Sequence, residues 1–286
     1  MQPTLPLPRL IAERAAGTPN RRFIQEIGGT EETYRAFHQR SLAWASLVEQ
    51  TGVSPLDTVA TLIPASATAY HCWMGLAWLG AIEVPVNHEY QGAMLVHILN
   101  DSQASVLVAS ARFLARIAAV AGQLASLETV VITDATEVSD ALPFRVVLAA
   151  GLLEGQPGKE RTGPSHWDTA SIIYTSGTTG ASKGVICSWA LLAEASDAAF
   201  PAEEIDPSDD GGYYCPWQPF HLTGRTALEI SVRFDLRLVI RERFSMSSFW
   251  DDVRAYRCTH FFSAFIGVGR ITGFSSDPII RIPHLG

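Results

Sequence analysis

Short apolar runs and amphipathic stretches alternate along most of this chain. From Leu7 to Ala16, Leu10, Ile11 and Ala15 fall on one side of a short helix that Thr18-Pro19-Asn20 ends. Arg22 to Glu26 and the segment ending at Thr33 predict a small hairpin turning at Gly28-Gly29. A helix from Thr33 to Gln50 carries Phe37, Leu42, Ala45 and Val48 as its apolar residues. Val59 to Pro64 reads as a strand, Ala67 to Leu79 as a helix, and Gly80 to Asn87 as a strand with its exit loop. A helix (Tyr90 to Asn100), a strand (Ser105 to Ala109), a helix (Ala111 to Ala125) and a strand (Thr129 to Thr133) follow. Strands alternating with helices predict parallel βαβ units with right-handed crossovers. The expected fold class is therefore α/β, with parallel sheets flanked by helices.

Asp134 to Asp168 is poorer in pattern and richer in Gly, Pro and charge. It reads as a connection between two sub-lobes, one over about 1–133 and one over about 169–286. The second opens with a buried strand ending near Tyr174, followed by a Gly/Ser/Thr loop and a helix from about Trp189 to Ala199. Glu203 to Asp210 is an acidic turn. Leu238 to Ile240 is a strand, Ser247 to Tyr256 a helix with Ser245 or Ser247 as N-cap, and Thr259 to Phe262 a strand. Phe249, Trp250 and Val253 form that helix's apolar face and read as core.

Composition bounds the function. The 286 residues are 47% hydrophobic and 17% charged, which is enough apolar material for a core. Thr58 to Ile82 carries no formal charge, but Pro64, His71, Gly75 and several hydroxyl residues break it. A buried strand and helix fit it better than a transmembrane segment. The net charge of −8 argues against a nucleic-acid partner, which calls for a basic face. Cys72, Cys187, Cys215 and Cys258 are far apart and lack metal-ligand spacing, so no metal ligands are assigned. Free thiols, and an N-terminus without a charged and apolar leader, point to a cytoplasmic protein.

The candidate chemistry lies in Ser171-Ile172-Ile173-Tyr174-Thr175-Ser176-Gly177-Thr178-Thr179-Gly180-Ala181-Ser182-Lys183-Gly184-Val185. A strand runs into a loop of glycines, hydroxyls and one lysine. Glycines let backbone N–H groups approach an anion, and successive N–H groups form a concave nest. Hydroxyls add donors that turn to fit phosphate oxygens, and Lys183 adds a compact cation. These features suit a polyphosphate. The loop is not the common P-loop, because Gly184 rather than Ser or Thr follows Lys183.

The pattern resembles the signature loop of the adenylate-forming superfamily, which includes acyl-CoA synthetases, luciferases and the adenylation domains of peptide synthetases. That loop reads roughly Tyr-Thr-Ser-Gly-Ser/Thr-Thr-Gly-x-Pro-Lys-Gly-Val; here Ser182 replaces the proline, at some cost in stiffness. Thr33-Tyr34 before a helix and Val84-Pro85-Val86-Asn87 resemble further family segments, the latter in the acyl-CoA synthetase form. Pro219-Phe220-His221-Leu222-Thr223-Gly224 resembles the family's Pro-x-Phe/Tyr-His-x-x-Gly element. The resemblance implies an ATP-dependent, AMP-forming acyl-CoA ligase of the fatty acid metabolism type. It would use ATP with Mg²⁺, CoA as co-substrate and a small-molecule carboxylic acid. Thr175, Ser176, Gly177, Thr178, Thr179, Gly180 and Lys183 would bind ATP phosphates; His221 and Gly224 would line the substrate pocket. No residue is assigned a bond-making role. The family's later segments, including its Tyr-Gly-x-Thr-Glu element and mobile C-terminal domain, are not seen before Gly286. The chain is therefore expected to be a truncated and incomplete ligase, or a remnant that folds or binds nucleotide weakly.

A rival reading shares the loop. Gly180-Ala181-Ser182-Lys183-Gly184 also fits Gly-x-Ser-x-Gly, the nucleophile elbow of α/β-hydrolases; His260 and His284 lie downstream, but no acid is marked out as their partner. That elbow needs a strand running straight into a strand-to-helix turn, and here a Thr/Gly loop intervenes. An ordinary surface loop without a ligand is the plainest alternative.

Overall fold

The computed structural model describes residues 5–138, 142–153, 158–175, 182–199, 211–262 and the backbone of 279–281. In chain order the elements are α1 (Leu7–Gly17), β1 (Arg22–Glu26), β2 (Glu31–Thr33), α2 (Tyr34–Glu49), β3 (Thr58–Leu62), α3 (Ala67–Leu79), β4 (Ile82–Pro85), α4 (Ala93–Asp101) and β5 (Val106–Ala109). Then come α5 (Leu114–Val120), β6 (Thr129–Ile132), β7 (Arg145–Leu148), α6 (Ala149–Leu153), β8 (Thr169–Thr175), β9 (Lys183–Ser188) and α7 (Trp189–Ala199). Last are β10 (Gly212–Cys215), α8 (Leu222–Arg233), β11 (Arg237–Ile240), α9 (Phe249–Ala255), β12 (Cys258–Phe262) and β13 (Ile279–Arg281).

Contacts divide the chain into two compact units. One comprises 1–9, 38–64 and 68–189; the other comprises 10–37, 65–67 and 190–286. Each is built on one sheet.

The first unit's sheet has the order β7-β6-β5-β3-β4-β8-β9. Neighbours from β7 to β8 run parallel, and β9 returns antiparallel to β8. Its middle strands are short runs of Val, Leu, Ile and Ala, buried throughout, as parallel strands covered on both faces must be. Leu95, Ile98 and Leu99 of α4 and Ile117 of α5 pack with Ala60, Leu107 and Val130 of the strands in one core. Each of these Leu, Ile and Val side chains contributes about 1.5–3 kcal/mol by leaving water. The uncharged stretch resolves into β3 and α3, and among the described residues no helix is long and apolar enough to cross a membrane. α3 packs so closely that a Cβ on Gly75 would stand 2.6 Å from Trp44 Cβ. The Trp73 indole N–H donates to the Ala170 carbonyl at 3.2 Å, and its ring stacks on Trp189 at 5.3 Å. Thus α3 pins the start of β8.

The second unit's sheet has the order β13-β12-β10-β11-β1-β2. β1, β11, β10 and β12 are parallel; β2 and β13 are antiparallel edges among the described strands. Tyr214, Val239, Phe249, Val253, Cys258 and Phe261 form a core between strands and α9. The fold class is α/β as expected, but both sheets are mixed rather than wholly parallel.

Candidate functional site

The Gly/Ser/Thr loop closes a hairpin. Ile172 pairs with Ile186, Ile173 with Val185, Tyr174 with Gly184, and Thr175 with Lys183. Residues directly opposite on antiparallel strands present side chains to the same face. Thr175 and Lys183 are both exposed, so a hydroxyl and an ammonium flank the mouth of the connection 176–182. This mouth lies at the carboxyl end of β8, beside parallel β4, where α/β sheets bind ligands. Ser176, Gly177, Thr178, Thr179 and Gly180 lie outside the described residues.

The loop end of the hairpin is held from the side by α4. His97 Nε2 lies 2.8 Å from the Ser182 carbonyl oxygen, so its N–H donates there. The His97 ring meets the Tyr174 ring edge-on at 6.3 Å, and the Tyr174 hydroxyl donates to Asp101 Oδ2 at 2.6 Å. Burial, then the Asp101 carboxylate, push the Tyr174 phenol well above its ordinary pKa and keep it a donor. The Tyr174 ring also explains Gly184. A Cβ there would come within 2.7 Å of an Ile172 methyl and 3.3 Å of the Tyr174 ring. Gly184 thus leaves room for a ring, a role distinct from approach to phosphate.

His221 sits at the start of α8, just beyond β10. Its carbonyl accepts from the Gly224 and Arg225 N–H groups at 3.1 and 3.3 Å, and its side chain makes no capping bond to the first turn. The imidazole is exposed, lies 4.4 Å from the Phe220 ring centroid, and is lowered in pKa by the water that its surroundings displace. It is thus a neutral imidazole at neutral pH. Gly224 is buried; a Cβ on it would stand 2.3 Å from the Gln218 carbonyl oxygen. Close backbone packing therefore accounts for this glycine without a ligand. Buried Arg225 donates to the Pro219 carbonyl and Trp217 to the Phe262 carbonyl, fixing the segment from both ends.

Sequence reading did not single out His97, Asp101 or Tyr174 as partners. The available signal was weak: two polar residues four apart on α4, outside its apolar face of Leu95, Ile98 and Leu99. The hydrolase reading fails on geometry. Ser182 enters strand β9 rather than a helix, and α7 starts only at Trp189. His260 is buried in β12 with Nδ1 2.8 Å from the Thr259 hydroxyl, and His284 lies outside the described residues. Among the described residues no three His, Cys, Asp or Glu side chains form a metal-binding group.

Residues 11–265 match the family described as AMP-binding enzyme. A crotonobetaine/carnitine–CoA ligase of Escherichia coli O6:K15:H31 (strain 536) is 31% identical over 254 residues, covering 87% of this chain and 46% of the relative. The chain therefore spans about half the length of such curated relatives. Among solved structures, an anthranilate–CoA ligase, AuaEII, bound to anthranoyl-AMP aligns with TM-score 0.79 at 20% identity, covering 91% of this chain and 50% of the other. The inhibitor-bound N-terminal domain of FACL13 from Mycobacterium tuberculosis aligns with TM-score 0.73 at 23% identity, covering 89% and 62%. These likenesses support the fold.

Proposed function

This chain belongs to the AMP-binding enzyme family, and on that footing we propose that it carries the phosphate-binding hairpin and the substrate-side histidine of an ATP-dependent, AMP-forming acyl-CoA ligase. The observation that carries the reading is the pairing of Thr175 with Lys183, which sets a hydroxyl and a cation on one face at the mouth of the glycine-rich loop. That donor set fits a polyphosphate anion and offers nothing to an apolar ligand. In the proposed reaction a carboxylate oxygen attacks the α-phosphate of ATP and pyrophosphate leaves; the CoA thiol, losing its proton, then attacks the carbonyl carbon of the acyl-adenylate and AMP leaves.

Thr175, Ser176, Gly177, Thr178, Thr179, Gly180 and Lys183 would hold the β- and γ-phosphates, with Mg²⁺ entering as their counter-ion. Lys183 would take up the charge that grows on the departing pyrophosphate, as a cation positioned before the reaction does best. His221 and Gly224 would stand on the acyl side. A neutral imidazole there donates one hydrogen bond to a carboxylate without trapping it as an ion pair. The substrate class is a small carboxylic acid, and a fatty acid setting accords with the acyl-CoA synthetase form of Val84-Pro85-Val86-Asn87. Four free, buried cysteines support a reducing compartment, and the cytoplasm is the one we propose. The test is exchange of labelled pyrophosphate into ATP with a panel of aliphatic and aromatic acids. Exchange that depends on one class of acid supports the ligase. Exchange with none, while ATP binds, contradicts it.

A further inference from the structure

The first unit contains a side-chain cluster that the phosphate reading does not use. His97 and Asp101 stand one turn apart on α4, so both project from the same side of that helix. Both reach the hairpin, one to each strand: Asp101 to Tyr174 on β8, His97 to the Ser182 carbonyl directly before β9. The rings of His97 and Tyr174 meet between these bonds, at an interplanar angle of 90°. The rest of α4 is fixed, because Leu95, Ile98 and Leu99 are buried in the sheet's core. A rigid helix therefore holds the residue that precedes Lys183.

We propose that His97 is a positioning residue for phosphate binding: by fixing the Ser182 carbonyl to α4 it sets where Lys183 begins β9 and hence where the ammonium points. This rests on the reading of the hairpin as a phosphate site. The physical need is clear from the neighbours. Lys183 and Gly184 are both exposed, and Gly184 has the widest backbone freedom of any residue type. Ser182 leaves its own φ a wider range than a proline would. A carbonyl held by a helix-borne donor restricts the same stretch from outside, so that less ordering remains to be done when an anion arrives.

The chain as it stands is tested with pyrophosphate as probe, in wild type, His97→Leu, His97→Gln and Lys183→Ala. Glutamine places an amide N–H at the same number of bonds from Cα as His97 Nε2, so it can restore the bond, whereas leucine cannot. Hydrogen exchange without ligand reads the anchor alone: His97→Leu should speed exchange at 183–185 about three- to tenfold, the span of one net hydrogen bond, and His97→Gln should restore it. Exchange in β5 and β6 should not change. Pyrophosphate affinity should fall by a similar factor in His97→Leu and recover in His97→Gln. Unchanged exchange in His97→Leu overturns the proposal. So does faster exchange with unchanged affinity while Lys183→Ala still weakens binding. If wild type does not bind pyrophosphate, or Lys183→Ala binds it equally well, the phosphate reading falls and the positioning role with it. The exchange data then show an anchor of structure alone.

Discussion

The two candidate segments are built in opposite ways. The connection 176–182 is carried at the tip of an antiparallel hairpin whose flanking Thr175 and Lys183 are exposed, and side-chain hydrogen bonds from α4 brace the hairpin at its loop end. The segment 217–225 joins a buried strand to a buried helix and is itself packed in: Gly224 lies against the Gln218 carbonyl, and the buried Arg225 side chain donates to the Pro219 carbonyl. In the first, the described glycine, Gly184, leaves room for the Tyr174 ring. In the second, glycine is needed because two pieces of backbone touch. On the proposed roles, a loop for a flexible polyphosphate would tolerate adjustment, whereas a histidine facing one reacting carboxylate would gain from a rigid seat.

Breaking the rigid seat should give the largest effect. Gly224→Ala forces a Cβ to 2.3 Å from the Gln218 carbonyl oxygen, and neither backbone can yield without moving α8 or β10. A stability loss of about 3 kcal/mol is expected from overpacking, read by urea unfolding. An unchanged midpoint would show that the backbone at Gly224 is not tightly held.

Next is the buried charge that α8 carries. Glu229 is buried, its carboxylate accepting from Arg233 Nε at 2.7 Å, while Arg233 also reaches Asp197 at 3.1 Å. Desolvation outweighs the Arg233 cation and raises the Glu229 pKa to about 7 from the model-peptide value of 4.5. A raised folded-state pKa means that the folded form binds the proton more tightly. The stabilisation is complete below about pH 4.5 and is lost as pH rises through about 7. Glu229→Gln should flatten the stability profile in that window by roughly 1–3 kcal/mol. An equal slope in both proteins would place the proton elsewhere.

The third change acts on the hairpin. Lys183→Ala should leave stability alone and weaken pyrophosphate binding by about 1.5 kcal/mol, the low end for a charged hydrogen bond because Lys183 is exposed. Calorimetric titration measures it. The smallest effect belongs to Ser182→Ala: its side chain has no part in the His97 bond, which uses the backbone carbonyl. A change below about 0.5 kcal/mol in stability or binding is expected. A large loss on Ser182→Ala alone would reverse the roles given to these neighbours.

The same contrast explains what the sequence made legible. The alternation of strands and helices from Val59 to Thr133 followed from uniform apolar runs, and the loop chemistry around Thr175 to Lys183 was readable because glycines, hydroxyls and a cation lie in one stretch. Much of the second unit was not. β10 is a four-residue strand, Gly212–Cys215, beyond an acidic stretch, and α8 buries Arg225, Thr226, Glu229 and Ser231 alongside its apolar residues. Charged and hydroxyl residues that are buried beside the apolar ones disguise how much of the helix is core. β7 and α6 were missed within 134–168 because they are short and half exposed, so neither alternation nor helical period develops. β9 escaped for a related reason: its first four residues are exposed, and it begins inside the motif itself. The partners His97 and Asp101 could not be inferred, since they are brought to the loop by tertiary packing across more than seventy residues of chain.

The central claim is that the connection flanked by Thr175 and Lys183 receives a polyphosphate. Hydrogen exchange with and without ATP and Mg²⁺, followed across 175–188, measures it most directly. Ligand should slow exchange over 175–184 in the wild type and do so much less in Lys183→Ala, with β5 and β6 unaffected in both. Identical exchange over 175–184 with and without millimolar nucleotide would contradict it.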